Sequence, residues 1–248
     1  MNIEDHYALS SGSAPLADGR DGAVTVHDLG ILRVPSGQLG ASDPFVFLDE
    51  SLVIPIPPGD YPVRVTVADV SEEQDGSHLR EAYLSVVLSE AESHTVGAAQ
   101  GVDGPPPADE YFGIGVDAGT VGFVDAEAVL RSMPDGATWY DEVFDTGDER
   151  GWFAIMDADS PQISGTANIV MPNAAAGENV VLSHSGWGDG FYSLLETRDI
   201  DGNLTGIHID LQVVGLFEDE DEDVADDETP TTSEERKPRN WLARLFGR

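Results

Sequence analysis

The chain has 248 residues, of which 40% are hydrophobic, 47 are acidic and 12 are basic, and it contains no cysteine. This hydrophobic content suits one sizeable core, and the lack of cysteine excludes disulfide scaffolds, thiolate zinc sites and cysteine nucleophiles. Residues 1–217 have seven arginines against 36 aspartates and glutamates. We therefore expect no nucleic acid binding by the folded part, because such binding needs basic residues that neutralise phosphates.

The N-terminus and the hydropathy pattern bear on location. Residues 1–5 include Glu4 and Asp5, where a signal peptide would carry basic residues. Apolar runs in the chain stay well below the 18 or so residues that span a bilayer. We therefore expect a cytoplasmic protein.

Short apolar runs recur along the chain, separated by Gly, Pro and Asp every eight to fifteen residues. This spacing is typical of a β-sandwich or a barrel. In residues 61–67, apolar side chains alternate with Pro62, Arg64 and Thr66, as in a strand with one buried face. Residues 1–217 are thus predicted to form a single, mainly β domain with antiparallel sheets. The predicted strands are 23–34, 45–48, 61–67, 79–88, 111–116, 151–156, 179–183, 191–196 and 204–214.

Helix signals are few. Asp125 can cap a helix over residues 125–133, and Pro134 ends it. A second short helix is predicted over 138–144, and residues 89–109, with three consecutive prolines, are predicted to form a long loop.

The composition changes abruptly after Phe217. Residues 218–235 are so densely acidic that we expect a disordered linker. Residues 236–248 hold five of the twelve basic residues and form a basic, aromatic peptide. If this peptide is helical, one apolar face carries the partner-docking residues Trp241, Leu242, Leu245 and Phe246, with Arg244 at its flank.

Three roles for this C-terminal peptide stay open. It could dock into a groove of a protein partner, make weak contact with an anionic membrane, or fold back onto the acidic domain.

Four stretches resemble the uncharacterised bacterial family called domain of unknown function 4241, over roughly residues 29–214. The resemblance implies a shared fold, and it implies no particular chemistry. The stretches are Val34-Pro-Ser-Gly37 with Asp43-Pro44, Ile56-Pro-Pro-Gly-Asp-Tyr-Pro-Val63, Gly115-Val-Asp-Ala-Gly119 with Phe123 and Asp125, and Ser185-Gly-Trp-Gly-Asp-Gly190 with Tyr192.

The last of these stretches supplies candidate site residues. Its glycines permit a tight loop that presents Asp189 beside Trp187 and Tyr192. With Asp117 and Asp199, Asp189 could bind a divalent cation such as calcium or manganese. The simpler interpretation is that the glycine-rich loop is a structural turn.

Local structure also explains two further aspartates. Asp125 suits a helix cap, and residues 199–205 suit a hairpin turning on Asp201-Gly202-Asn203 better than a calcium loop. Ser183 and Ser185 flank His184, but no Gly-x-Ser-x-Gly elbow frames either serine, so a serine hydrolase is disfavoured.

Two functions follow from these patterns. The first is a non-enzymatic interaction protein, an adaptor or a toxin-neutralising immunity-like protein, whose acidic surface binds a basic protein partner. The alternative is a divalent-cation-binding domain or a metal-dependent enzyme that uses aspartates in glycine-rich loops. Convergence of Asp43, Asp117, Trp187 and Asp189 in a concave pocket would favour chemistry, whereas dispersal of these residues would favour a binding surface.

Overall fold

The structure is a computed structural model that describes residues 2–158 and 163–215. The chain divides into one unit, Met1–Phe217, and a second, Glu218–Arg248. The predicted linker over 218–235 lies outside the described residues, as does the C-terminal peptide over 236–248 with Trp241, Leu242, Arg244, Leu245 and Phe246.

The domain is mainly β, as predicted, and the sheets curl into a half-barrel. Strand-forming residues dominate, and the described helical segments are short. The strands are β1 Gly12–Pro15, β2 Asp21–Val34, β3 Gln38–Ser42, β4 Leu52–Pro55, β5 Gly59–Asp69, β6 Leu79–Val87, β7 Thr95–Ala98, β8 Gly113–Val116, β9 Thr120–Asp125, β10 Thr166–Val170, β11 Asn179–His184, β12 Gly190–Arg198 and β13 Leu204–Asp210. The α-helices are α1 Ala126–Ser132 and α2 Trp152–Asp157. Short 3-10 turns lie at Ile3–Asp5, Leu48–Glu50 and Gly136–Thr138, and a π-helical turn lies at Tyr140–Phe144.

The strands form two antiparallel sheets. The larger sheet has eight strands in the order β1-β2-β5-β6-β13-β12-β7, with β8 also paired to β12. The smaller sheet has five strands in the order β10-β11-β9-β3-β4. Strand β8 therefore brings the chain from the larger sheet straight into β9, the centre of the smaller one.

Alternating side chains divide the core into two layers. In β9, Val121 and Phe123 belong to the main hydrophobic cluster, together with Leu84 and Ile209 of the larger sheet. The neighbouring Val124 instead packs in a second cluster with residues of α1 and α2. The smaller sheet thus lies between the larger sheet and the helices, since successive residues of a strand point to opposite faces.

Two predicted strands are wrong. Residues 151–156 form most of α2, because Trp152 and Met156, at i and i+4, both turn into the second cluster. Residues 45–48 form a turn, because the backbone amides of Val46 and Phe47 both donate to the carbonyl of Asp43. Short apolar runs do not distinguish strand from helix by periodicity alone.

The predicted first helix is confirmed. Asp125 caps α1 by accepting a hydrogen bond from the amide of Ala128 at 3.0 Å, and Pro134 follows its end. Part of the predicted loop over 89–109 is in fact the edge strand β7. Among the described residues, no helix is long and apolar enough to cross a membrane.

Candidate functional site

Asp43 is a fully buried carboxylate that organises the loop between β8 and β9. Its Oδ2 accepts hydrogen bonds from the amides of Asp117 at 3.0 Å and Ala118 at 2.7 Å. Its Oδ1 accepts from the Thr120 hydroxyl at 2.6 Å and from the Phe45 amide at 3.2 Å. Four donors converging on one carboxylate hold this loop in a single shape.

The loop that carries Trp187 is fixed at both ends. The Ser185 amide donates to the carbonyl of Gly119 at 3.0 Å, which ties this loop to the Asp43-bound loop. The hydroxyls of Ser185 and Tyr192 both donate to the carbonyl of Gly188, at 2.7 and 2.8 Å. Tyr192 is therefore a buried support beneath the loop, 4% exposed.

Gly186 lets this loop approach strand β6 closely. Its φ is +70°, and a Cβ there would lie 2.7 Å from the carbonyl oxygen of Glu81 and 2.8 Å from a methyl of Val213. Only glycine accommodates both the left-handed conformation and the contact. As a result, Trp187 lies next to Arg80.

Asp117 and Asp189 face each other across the end of a strand pair. The β8–β12 ladder ends at Val116 and Gly190, and the two aspartates are the next residue on each strand. Both are exposed. The structure therefore brings these two predicted site residues together.

Trp187 stands at this same rim of the domain and is 53% exposed. The guanidinium carbon of Arg80 lies 5.4 Å from its ring centroid, a cation–π distance. The ring of His78 meets it edge-on at 6.4 Å. We call this surface the Trp187 rim, defined by His78, Arg80, Asp117, Trp187 and Asp189.

Asp199 lies at the opposite end of β12. The nine residues of β12 separate it from Asp189, roughly 30 Å along an extended strand. Its carboxylate accepts from the amides of Asp201 at 3.0 Å and Asn203 at 2.8 Å, and hydrogen bonding from Asn203 lowers its pKa. The predicted hairpin is confirmed. Within residues 2–158 and 163–215, no three His, Asp or Glu side chains are placed to hold a metal ion.

The two serines beside His184 donate elsewhere. Ser183 Oγ donates to the backbone carbonyl of His184 at 2.7 Å, and Ser185 Oγ donates to that of Gly188. Neither hydroxyl is thus directed at an imidazole that could act as its base.

The tryptophan of the Trp187 rim is exposed to solvent. A cavity of about 290 Å³ lies elsewhere, between the π-helical turn, α2 and β10, and its lining includes Trp152, Ile155 and Ile169. No rim residue lines that cavity. Asp43 binds the amide of Asp117, Asp189 lies opposite Asp117, and Trp187 is two residues from Asp189, so these four motif residues lie close together outside that cavity.

Arg80 and His78 are not among the site residues that the sequence predicts. His78 precedes strand β6 and Arg80 is near its start, and neither belongs to a motif. Nothing local therefore relates them to Trp187, more than 100 residues away. The available signal was the scarcity of arginine, since each of the seven in 1–217 stands out against 36 carboxylates.

His6 of the N-terminal segment and His208 of β13 form a buried pair of histidines. The ring centroid of His6 lies 4.9 Å from that of His208 and 5.3 Å from that of Tyr83. Among the described residues neither ring nitrogen of His6 has a hydrogen-bond partner, whereas His208 bonds the hydroxyls of Ser85 and Thr197. Burial lowers the pKa of His6 to about 4 and that of His208 well below its usual range.

Replacing His6 with phenylalanine is expected to reduce the acid sensitivity of the domain. The unfolded chain binds the proton first, because the ordinary pKa of His6 is 6.5 and its folded pKa is about 4. The contribution of neutral His6 to the free energy of unfolding is therefore fully present above pH 6.5. It is lost as pH falls towards 4, and about 2 kcal/mol is lost at pH 5. Urea unfolding at pH 8 and pH 5 should show a difference about 2 kcal/mol smaller in His6→Phe than in the native chain.

Two buried carboxyl groups make the opposite contribution to the pH dependence of stability. Both are present in His6→Phe and in the native chain, so their contribution cancels when the two proteins are compared. Burial raises the pKa of Asp210 to about 6 and that of Glu81 to about 7, so the folded state binds their protons first and gains stability as pH falls. The exposed His94, changed to phenylalanine, is the matched control. An unchanged pH dependence in His6→Phe would contradict the prediction.

The chain matches one family of known proteins over most of its folded part. A family model described as a protein of unknown function, DUF4241, matches residues 32–209 and so spans every rim residue. No curated protein and no solved structure matches the chain. The match confirms the resemblance drawn from the four sequence stretches, and the chain belongs to the DUF4241 family.

Proposed function

We propose that the domain is a non-enzymatic interaction module whose Trp187 rim docks a protein partner with a basic surface. The observation that carries the proposal is Trp187 itself, an indole 53% exposed on a loop held by hydrogen bonds from Ser185 and Tyr192. Tryptophan is enriched among the residues that dominate binding energy in interfaces. A loop already fixed in shape loses little entropy when it binds.

The charge of the domain supports a basic partner. Residues 1–217 carry 36 carboxylates against seven arginines, and Asp117 and Asp189 add two exposed carboxylates at the rim. A field of one sign steers an oppositely charged protein towards the surface before contact. An adaptor and an inhibitor that neutralises a basic toxin would both use this property.

The C-terminal peptide supports a second docking element on sequence grounds. Trp241, Leu242, Leu245 and Phe246 supply apolar anchors, and Arg244 supplies a positive charge. Short amphipathic peptides of this kind dock into grooves of partner proteins. We propose that this element strengthens capture by adding a second contact to the same partner.

The test is affinity capture from cells that make the protein, followed by measurement of the dissociation constant for the captured partner. Trp187→Ala is expected to weaken binding by at least about 2 kcal/mol, a factor of about 30. Ile200→Ala is the matched control, because Ile200 is an exposed apolar residue, 77% exposed, at the far end of β12. A chain ending at residue 235 tests the C-terminal peptide separately.

We expect a basic partner whose capture weakens as the salt concentration rises, because salt screens the attraction between surface charges. Unchanged melting temperatures in Trp187→Ala and Ile200→Ala would show that both variants are folded. Equal capture by Trp187→Ala and the native chain, or capture of an acidic partner, would refute the proposal.

A further inference from the structure

Arg80 differs from the other arginines of the described domain in having no protein acceptor. Five of the remaining six form ion pairs with a carboxylate, and Arg33 donates to the carbonyl of Ala176. In residues 2–158 and 163–215, the guanidinium of Arg80 has neither an ion pair nor a hydrogen bond. This is unexpected in a domain where carboxylates outnumber arginines five to one.

The guanidinium of Arg80 is also held in place. It lies over the ring of Trp187 at 5.4 Å, and Gly186 keeps that loop against the backbone of the adjacent Glu81. The Nε atom is sealed from water without a partner, whereas the two Nη atoms are not among the buried unpartnered atoms and so reach solvent. The donor edge of a positioned cation therefore faces outwards.

We propose that Arg80 and Trp187 form a binding site for a single carboxylate group of the partner, with the indole packing against the adjacent apolar part of that residue. This inference rests on the proposed function, in which the rim is the docking surface. It names the group that the rim recognises. A guanidinium binds a carboxylate through two parallel N–H···O bonds, and the planar ring beneath it fixes the plane of those bonds.

The charge balance favours a carboxylate over a phosphate. One guanidinium neutralises one negative charge, and Arg80 is the one arginine among the five residues of the rim. A phosphate carries about two charges at pH 7 and would leave one uncompensated beside Asp117 and Asp189. The partner is then basic overall, because long-range steering depends on its net charge, and it presents one carboxylate at the point of contact.

The site can be tested without the partner, using N-acetylphenylalaninate as a probe and its uncharged amide as the matched ligand. Binding is followed in the full-length chain by the nuclear magnetic resonance shift of the Trp187 indole N–H, assigned with Trp187→Phe. We expect saturable shifts with the carboxylate and at least tenfold weaker binding of the amide. Arg80→Met should abolish binding, Arg80→Lys should retain it weakly, and Arg64→Met, on the same sheet, should leave it unchanged.

Other outcomes overturn the inference. These are equal binding of the amide, tighter binding of inorganic phosphate than of the carboxylate, or retention of the probe by Arg80→Met. Partner capture separates this inference from the function on which it rests. If Arg80→Met captures the partner as well as the native chain while Trp187→Ala does not, the carboxylate site is refuted and the docking surface stands.

Discussion

Replacing Asp43 with alanine is expected to lower the free energy of unfolding by about 3–5 kcal/mol, the largest effect of any aspartate in the domain. The carboxylate is fully buried and accepts from the amides of Phe45, Asp117 and Ala118 and the hydroxyl of Thr120. Alanine leaves these four donors without their acceptor, and the hydroxyl of Thr120 is buried. Chemical denaturation measures the loss directly.

Asp43→Asn and Asp49→Ala are the controls for this prediction. Asparagine has one acceptor oxygen and turns an amide group towards N–H donors, so it should recover only part of the stability. Asp49 lies nearby in sequence, is exposed, and should change stability by less than about 0.5 kcal/mol when truncated. A loss below 1 kcal/mol in Asp43→Ala would show that the loop does not depend on this carboxylate.

Replacing Asp125 with alanine is expected to cost about 3 kcal/mol. This fully buried carboxylate caps α1 through Ala128 and also accepts from the amide and hydroxyl of Ser36, both at 2.8 Å. The lost cap accounts for about 1 kcal/mol and the unpaired Ser36 for the rest. The sequence pattern alone predicts only the smaller of these two terms.

The matched control for Asp125→Ala is Glu127→Ala on the same helix. Glu127 is exposed in the first turn of α1, where it interacts only with the helix dipole, a contribution of a few tenths of a kcal/mol. Thermal unfolding of both variants measures the contrast. If Asp125→Ala costs only about 1 kcal/mol, Asp125 acts as a cap and nothing more. If it costs no more than Glu127→Ala, the cap itself is refuted.

Asp43 and Asp125 explain why the shared sequence stretches coincide with loops. Asp43 binds the Gly115–Gly119 stretch, and Asp125 binds Ser36 of the first stretch. Both carboxylates therefore join segments that are distant in sequence. Asp43 and Asp125 lie at opposite ends of the β3–β9 strand pair, and Asp43 is the one that holds the loop carrying Asp117 of the Trp187 rim.

Local patterns predicted the elements whose signals are complete within a few residues. The strand over 61–67, the cap at Asp125 and the hairpin at 201–203 each depend on neighbouring residues, and each is confirmed. The prediction of a single buried face in 61–67 is wrong at Thr66, which is fully buried next to a register shift in the β5–β6 pairing. The run 151–156 failed, because a short apolar segment is compatible with a strand until its burial partners are known. Its partners, across the second cluster, come from distant parts of the chain.

The candidate site also contains residues that local patterns predicted correctly and one that they did not. Asp117, Trp187 and Asp189 were found from glycine-rich loops, and the structure brings them together. Asp199 shares the composition of such a loop but lies at the far end of β12, because a strand of nine residues separates the two loops. Composition indicates that a loop is tight and says nothing of which other loop it meets.

By itself, the amino-acid sequence determined a mainly β domain without cysteine, a strongly acidic surface, and the family to which the chain belongs. Tertiary structure alone decided that Trp187 is exposed, that Tyr192 is buried beneath it, and that Arg80 lies against its ring. The reason is physical. Propensity, capping and charge act over a few residues, whereas the Trp187 rim arises where strands β6, β8 and β12 end together, and only the pairing of the whole chain sets that position.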